Sequence, residues 1–350
     1  MNCLAIASTP ASVTGTVRIA TALVNQPFDL AEPPVRADLV RVADDEHLLV
    51  LAVHHIAVDG WSVGVLSRDL GTAYRATSSG AAPPAPPVLQ FADFAAWQRA
   101  ELDGDRLPAL LSWWRNRLTG AETLRLPTDR PRPAVLPDSG DVVTFDVPAP
   151  AGRTLRRLGS TQGATPFVVM LSVFAAALAE VTGQHDLSIG TVVSGRPLPE
   201  LAGTVGPFVN TIVLRLDDVR APTFPELVGS TRRVVLDALA HQDAPFEKVV
   251  EAVNPPRDTS RTPLFQVAFG SGVPGARTVE WSVDGLRAEP VTLPFTTSKY
   301  DMTLDTEDQP DGSFRCRWHY ATALYDRSSV DTMVQRFLRL AHGFAADRAG

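Results

Sequence analysis

Between His47 and His54 the chain runs through six consecutive apolar residues, Leu48-Leu49-Val50-Leu51-Ala52-Val53. A run of that length without polar alternation predicts a strand covered on both faces. Leu39, Val40 and Val42 predict a neighbouring strand, and Asp44-Asp45-Glu46 has the polar composition of a hairpin turn. Asp59-Gly60 marks a turn beyond the apolar run. Ser62 then reads as the cap of a helix through Ala76, with Val65, Leu66, Leu70 and Tyr74 on one side. Upstream, residues 1–24 carry a weak amphipathic pattern without a strong cap, broken at Pro27-Phe28-Asp29-Leu30. Downstream, Gly80 to Pro87 (GAAPPAPP) predicts an extended, polyproline-like connection. Phe91, Phe94 and Trp97 share one face of the next helix, and a further helix carries Trp113 and Trp114.

Prolines from Pro127 to Pro137 interrupt every periodicity, so the boundary between two domains is placed there, near residue 130. Gly140 to Val147 alternates as a strand. Thr165-Pro166 is a cap followed by proline at the first helical position, and the helix it opens stops at Thr182-Gly183. That helix is apolar nearly all round and reads as a core element. Asp186 to Val193 and Phe208 to Leu216 read as strands, joined through Ser194-Gly195-Arg196-Pro197 and Gly206-Pro207. Pro225 to Ala240 reads as an amphipathic helix, with Asp243 as the cap of a short helix after it. Phe265–Phe269, Trp281–Val283, Met302–Leu304 and Phe314–Tyr320 read as strands, and Ser328 to Ala346 as a closing helix. Such mixing of strands and helices argues for an α/β or α+β fold.

Composition narrows the function classes. A chain of 350 residues accommodates two domains of roughly 150 residues each. With 45% hydrophobic and 20% charged residues it is globular. Thirty-two basic against 39 acidic residues leave a net charge of −7 and no basic stripe, which argues against nucleic-acid binding. Pro166 to Ala179 falls short of the roughly 20 residues a membrane span needs, and no positive charge precedes Arg18 as a secretory signal requires. Cys3 and Cys316 supply neither a disulfide framework nor a zinc spacing, so a reducing cytoplasm is the expected compartment.

The sharpest chemical feature is His54-His55-Ile56-Ala57-Val58-Asp59-Gly60-Trp61-Ser62. Adjacent residues at a strand end point to opposite faces, so one imidazole can look into a cleft while the other is satisfied inside. A side chain with an ordinary pKa of about 6.5 suits a general base or proton shuttle. The Gly60 N–H, at the entry to a helix, can donate to a developing oxyanion. The histidine pair also reads as purely structural. A zinc set of His54, His55 and Asp59 lacks a third convergent ligand, so no metal is expected. Asp59 reads as orienting an imidazole, capping a turn or pairing with an arginine. No serine sits in a nucleophile elbow, neither cysteine has a base beside it, and no glycine-rich phosphate loop is present.

His54 to Ser62 resembles the HHxxxDGWS block of the condensation domains of nonribosomal peptide synthetases. Other blocks of that family follow in its order. Phe91-Ala-Asp-Phe-Ala-Ala-Trp97 resembles YxDFAxW, and Thr191-Val-Val-Ser-Gly-Arg196 resembles GTPxxGR. Val205-Gly-Pro-Phe-Val-Asn-Thr211 with Arg215 resembles IGxFVNTxxxR. His241-Gln-Asp-Ala-Pro-Phe-Glu247 resembles HQDxPFE, and Arg257-Asp-Thr-Ser-Arg-Thr-Pro-Leu264 resembles RDxSRxPL. Two further blocks precede the histidines in the family, whereas 53 residues precede His54 here. The resemblance therefore implies an N-terminally truncated relative, whose N-terminal half is incomplete.

The resemblance implies two chloramphenicol-acetyltransferase-like halves in a V shape, 1–130 bearing the histidine motif and 131–350. It implies amide formation between a donor acyl or peptidyl thioester and an acceptor aminoacyl thioester. No cofactor is bound directly; both substrates ride on phosphopantetheine arms of upstream and downstream carrier proteins, with no nucleic-acid or membrane partner. By resemblance, His55 positions the amine and shuttles its proton, with the Gly60 N–H as oxyanion donor. His54, Asp59 and Arg196 support the site, Asp59 pairing with Arg196. Trp61, Ser62 and Asn210 are candidates for the substrate channel. Two other functions stay open. One is a docking module that binds a carrier protein or tailoring enzyme without catalysis. The other is a coenzyme A-dependent acyltransferase, which shares HHxxxDG but is not expected to carry HQDxPFE and RDxSR.

Overall fold

The computed structural model describes residues 2–7, 13–221, 223–272, 282–283, 286–291, 293 and 297–346. In chain order they form β1 (Asn2–Ala7), α1 (Val13–Val24), β2 (Val35–Arg41), β3 (His47–Val53), α2 (Gly60–Ser78), α3 (Phe91–Glu101) and α4 (Arg106–Leu118). Then come β4 (Gly140–Val147), α5 (Ala149–Ser160), α6 (Pro166–Thr182), β5 (Leu187–Val193), β6 (Asn210–Leu216), α7 (Phe224–Leu239) and α8 (Phe246–Val253). The chain continues through β7 (Val267–Ser271), the short strands β8 (Ser282–Val283), β9 (Leu286–Arg287) and β10 (Glu289–Pro290), then β11 (Met302–Asp308), β12 (Phe314–Ala321) and α9 (Arg327–Ala346). Trp281, placed in a strand by the sequence pattern, lies outside the described residues. The mixed α/β class expected from the sequence holds.

Two units share the chain. The first takes residues 1–103, 194–209 and 273–294; the second takes 104–193, 210–272 and 295–350. The first passage between them falls at Asp103–Gly104, ahead of the proline-rich stretch where a single boundary was expected. The reason is the burial of α4: Trp114 is 1% exposed in the second unit's core, and its indole N–H donates to the His241 carbonyl at 3.0 Å. The prolines themselves lie inside that unit, where Arg132 donates to the Ser260 carbonyl and pairs with buried Asp301.

In the first unit the strand order is β10-β1-β3-β2. β3 runs antiparallel to both neighbours, with Val53 opposite Asn2 on one side and Val35 on the other. β1 was not visible in the local pattern of residues 1–24, because what defines it is this pairing with residues almost fifty positions away. β3 is not covered equally on its two faces. Leu48, Val50 and Ala52 are buried against Ala20 and Val24 of α1, while Leu49 and Leu51 are half-buried. The apolar run therefore overstates the burial of its second face.

The second unit holds a six-stranded sheet in the order β4-β12-β11-β7-β5-β6. β7 is parallel to both β5 and β11, and the other pairings are antiparallel. α6 is its most buried helix. Thr165 caps it by accepting the Val168 N–H, and Gly183 ends it at φ +68°. α5, unmarked by a side-chain cap, opens with Pro150 in its first turn. Asp243 does not cap α8; its carboxylate takes the Arg106 guanidinium at 2.6 Å, and Pro245 occupies the cap position. Burial pushes the Cys316 thiol up to about 12, which leaves it inert as a nucleophile.

Candidate active site

β3 delivers the chain into a turn over residues 55–57, and α2 begins at Gly60. The connection is held by Asp59, whose extended backbone places it as the cap of α2, the role first read for Ser62. The Asp59 carboxylate is fully buried. Oδ1 accepts the Ser62 N–H at 2.8 Å and the Arg196 Nη2 at 3.1 Å; Oδ2 accepts the Phe208 N–H at 3.1 Å. The Ser62 hydroxyl lies 2.8 Å from Asp59 Oδ1 and 2.9 Å from the Gly206 carbonyl, and accepts from the Gly206 N–H and Arg196 Nη2. One hydroxyl and one carboxylate thus stitch the start of α2 to residues 206–208.

Arg196 reaches this network because Gly195 stands at φ +61°. A Cβ there would meet the Phe208 carbonyl oxygen at 1.8 Å, so only glycine fits the turn. The guanidinium is 5% exposed and lies 3.9 Å from the centre of the Phe208 ring, with Trp61 on another side at 5.9 Å. Burial lowers the Arg196 pKa, and the facing Asp59 charge opposes that shift. Its Nε and Nη1 have no hydrogen-bond partner among the described residues.

The two histidines differ in role. The His54 Nδ1 accepts the Ile56 N–H at 3.1 Å, its backbone bonds Pro34 and Ala57, and its ring meets the edge of Phe28 at 5.7 Å. With Nδ1 used as an acceptor, the neutral ring carries its proton on Nε2. His54 is thereby built into the loop. His55 is half-buried at the head of the turn. Gly60 is the first residue of α2, so its N–H has no carbonyl four residues back within the helix. The Asp59 oxygens are engaged by Ser62, Arg196 and Phe208, and no cluster of three or more metal-binding side chains occurs among the described residues.

A sequence profile of the condensation domain matches residues 8–349. The chain belongs to the condensation-domain family. Malpinin synthetase of Mortierella alpina is 42% identical over 310 residues, which are 88% of this chain and 4% of that protein. Phosphinothricin tripeptide synthetase PhsC of Streptomyces viridochromogenes is 40% identical over 327 residues, 92% of this chain and 30% of that protein. This condensation domain therefore spans less than a third of the length of either relative. Among solved structures, the X-domain from teicoplanin biosynthesis superposes with a TM-score of 0.88 at 26% identity, over 99% of this chain and 90% of that one. That X-domain has also been solved in complex with OxyB, with a TM-score of 0.86.

The condensation domain brings His54, His55, Asp59, Gly60, Trp61, Ser62 and Arg196 together within its first unit. Two channel candidates have their polar groups taken up within the fold. Ser62 is wholly buried and its hydroxyl is consumed by the loop network. Asn210 belongs to the second unit, where its amide donates to the Gln242 and Ala244 carbonyls and its oxygen accepts the Thr211 and Phe246 N–H groups. All its polar capacity fastens β6 to the turn before α8. Trp61 is half-buried, with its indole N–H on the Ala202 carbonyl at 2.9 Å. Gly195, Gly206 and Phe208 had no role assigned from the sequence. Their signal was there, since Ser-Gly-Arg and Gly-Pro-Phe are turn sequences flanking strands, but only the fold shows them converging on Asp59.

Proposed function

We propose that this condensation domain forms an amide between a donor acyl or peptidyl thioester and an acceptor aminoacyl thioester, each carried on the phosphopantetheine arm of a carrier protein. The observation that carries this reading is the loop from His54 to Ser62, locked by the buried Asp59–Arg196 pair with His55 and the Gly60 N–H on it. Membership of the family and the identity to a tripeptide synthetase support it.

The reaction needs modest help. An α-amine titrates at about 7.7–8.0, so part of it is neutral at pH 7. Its lone pair attacks the thioester carbon and a C–N bond forms. The carbonyl oxygen becomes an oxyanion, towards which the Gly60 N–H is the donor. His55 takes a proton from the nitrogen of the adduct. The C–S bond then breaks and the proton goes to the departing thiolate. Holding the two arms in register supplies most of the acceleration, and His55 supplies the proton transfer. A cytoplasmic setting goes with carrier-borne substrates, and no helix among the described residues is long and apolar enough to cross a membrane.

A second reading is a binding module without chemistry. The close superposition on an X-domain that has been solved in complex with OxyB favours it. One assay separates the two. The purified chain is offered a donor acyl-carrier and an acceptor aminoacyl-carrier, and product is sought by mass spectrometry beside His55→Ala. Product lost in the variant supports catalysis. Carrier binding with no product in either chain supports docking, and turnover with free acyl-coenzyme A supports a coenzyme A-dependent acyltransferase.

A further inference from the structure

The sequence marks Pro27-Phe28-Asp29-Leu30 only as a break, and the proposed reaction gives it no task. In the structure the Phe28 ring meets the His54 imidazole in a T-shaped contact, with centroids 5.7 Å apart and planes at 73°. Aromatic rings favour that arrangement. Over the Phe28 ring lies Arg36, its guanidinium carbon 4.0 Å from the ring centre. Three carbonyls hold the guanidinium there. Nη1 donates to Pro27 at 2.9 Å, and Nη2 donates to Gln26 at 2.7 Å and to Leu23 at 3.5 Å. Leu23 lies in the last turn of α1, whose closing carbonyls have no partner within the helix, so Arg36 also fastens the helix end.

The stretch from Pro34 to Arg36 holds the histidine loop twice. The Pro34 carbonyl accepts the His54 N–H at 2.9 Å, which ties down the backbone, and Arg36 reaches the ring of the same residue through Phe28. That ring helps to close the turn containing His55. His54 Nδ1 accepts the Ile56 N–H at 3.1 Å, and the His54 carbonyl accepts the Ala57 N–H at 3.0 Å. Only the first of these bonds depends on how the imidazole is rotated. Ile56 is 58% exposed, so its own side chain adds little packing to hold the turn. With the ring rotated away, the Ile56 N–H is left to water and the turn loses one of its two closing bonds.

We propose that Phe28 and Arg36 are positioning residues for the condensation: Arg36 fixes the Phe28 ring, that ring fixes the His54 imidazole, and the imidazole sets the turn on which His55 sits. The proposal rests on the proposed reaction, which gives His55 its proton transfer. All four residues lie in the first unit. Proton transfer depends on placement of the base to a fraction of an ångström, so a loosened turn is read out in rate. An edge-on ring contact and a cation over a ring are each modest interactions. Losing either therefore slows the reaction by roughly two- to tenfold and does not abolish it.

Rate assays on the full chain test this, with a donor acyl-carrier and an acceptor aminoacyl-carrier. Phe28→Leu keeps most of the side-chain volume and removes the ring, Phe28→Tyr keeps the ring, and Arg36→Met keeps an apolar stem and removes the charge. A thermal melt verifies that each variant is folded, and Arg36→Met reaches the same ring from its other neighbour, so one folded variant suffices. Phe28→Leu and Arg36→Met are expected to lower the rate at saturating acceptor by roughly two- to tenfold with KM unchanged, and Phe28→Tyr to retain it. Placed on His55→Ala, Phe28→Leu is expected to have no further effect, because the group it positions is gone. An equal loss with and without His55 shows a ring that supports the fold alone, and overturns the proposal. Imidazole nitrogen NMR on the histidine-labelled chain needs no turnover. Phe28→Leu is expected to shift the His54 and His55 ring signals, and unmoved His55 signals overturn the proposal. Shifted His55 signals in a chain that joins no carriers leave this positioning standing and remove the proposed reaction. Product formation that Phe28→Leu leaves unchanged does the opposite.

Discussion

Each unit contains a strand that ends beside a histidine and passes through a short loop to an aspartate at the start of a helix. In the first, β3 leads through His54 and His55 to Asp59 and α2; in the second, β12 leads from His319 and Tyr320 to Asp326 and α9. Both aspartates pair with an arginine distant in sequence, Arg196 and Arg130. The surroundings differ. The side chains of Asp59 and Arg196 are 0% and 5% exposed, whereas those of Asp326 and Arg130 are 55% and 44% exposed. In the second unit Tyr320 points into the core at 2% exposure and His319 is tied to Asp305 at 3.2 Å. One connection serves two purposes. Where the ion pair is dry it stitches the start of α2 to residues 206–208, and where it is wet the aspartate stays open to water.

The largest effect should come from the imidazole itself. His55→Ala is expected to slow product formation by about 10²–10⁴-fold, measured by single-turnover mass spectrometry. A comparable change at His319 should leave the rate alone. Asp59→Ala removes the counter-charge of a buried guanidinium. A loss of about 3–5 kcal/mol in urea unfolding is expected, and a loss below about 1 kcal/mol would show that the dry pair is no more structural than the wet one. Asp326→Ala should cost at most about 1 kcal/mol in the same titration, as solvent-screened pairs do.

The smallest effect concerns acid. The Asp326 N–H, followed by the Ser329 hydroxyl, holds Asp129 below the usual carboxylate range. A depressed folded value means that the ionised form stabilises the second loop above the ordinary pKa of about 3.9, and that this help is lost as pH falls through the lower folded value. Asp129→Asn should therefore flatten the acid limb of a melting curve below about pH 4. An unchanged limb would detach Asp129 from the loop's stability.

Much of the architecture was legible because it is written in local chemistry. Thr165-Pro166 and Gly183 bound α6 within a residue, since cap, ring and left-handed stop are all short-range devices. The histidine loop was legible as a motif, and the pairing of Asp59 with Arg196 followed from the resemblance and is seen in the structure. What escaped was non-local. Asn2–Ala7 is a strand only because β3 lies beside it. The partners of Asn210 were hidden because the carbonyls of Gln242 and Ala244 come from the far side of α7. Ser62 looked like the first capping group because a serine before a helix usually is one, but the deeper acceptor stood three residues earlier.

The first unit borrows residues 194–209 and 273–294 from late in the chain. During synthesis at about 5–20 residues per second, the histidine loop leaves the ribosome roughly 7–27 s before the arginine that neutralises its aspartate, and longer still before the strand that flanks β1. Until those arrive, a charged carboxylate and an open sheet edge stand unguarded in the nascent polypeptide. Its hazard is therefore greatest while the residues between the histidine loop and β10 are being translated, and a holding chaperone has its best opportunity to act there.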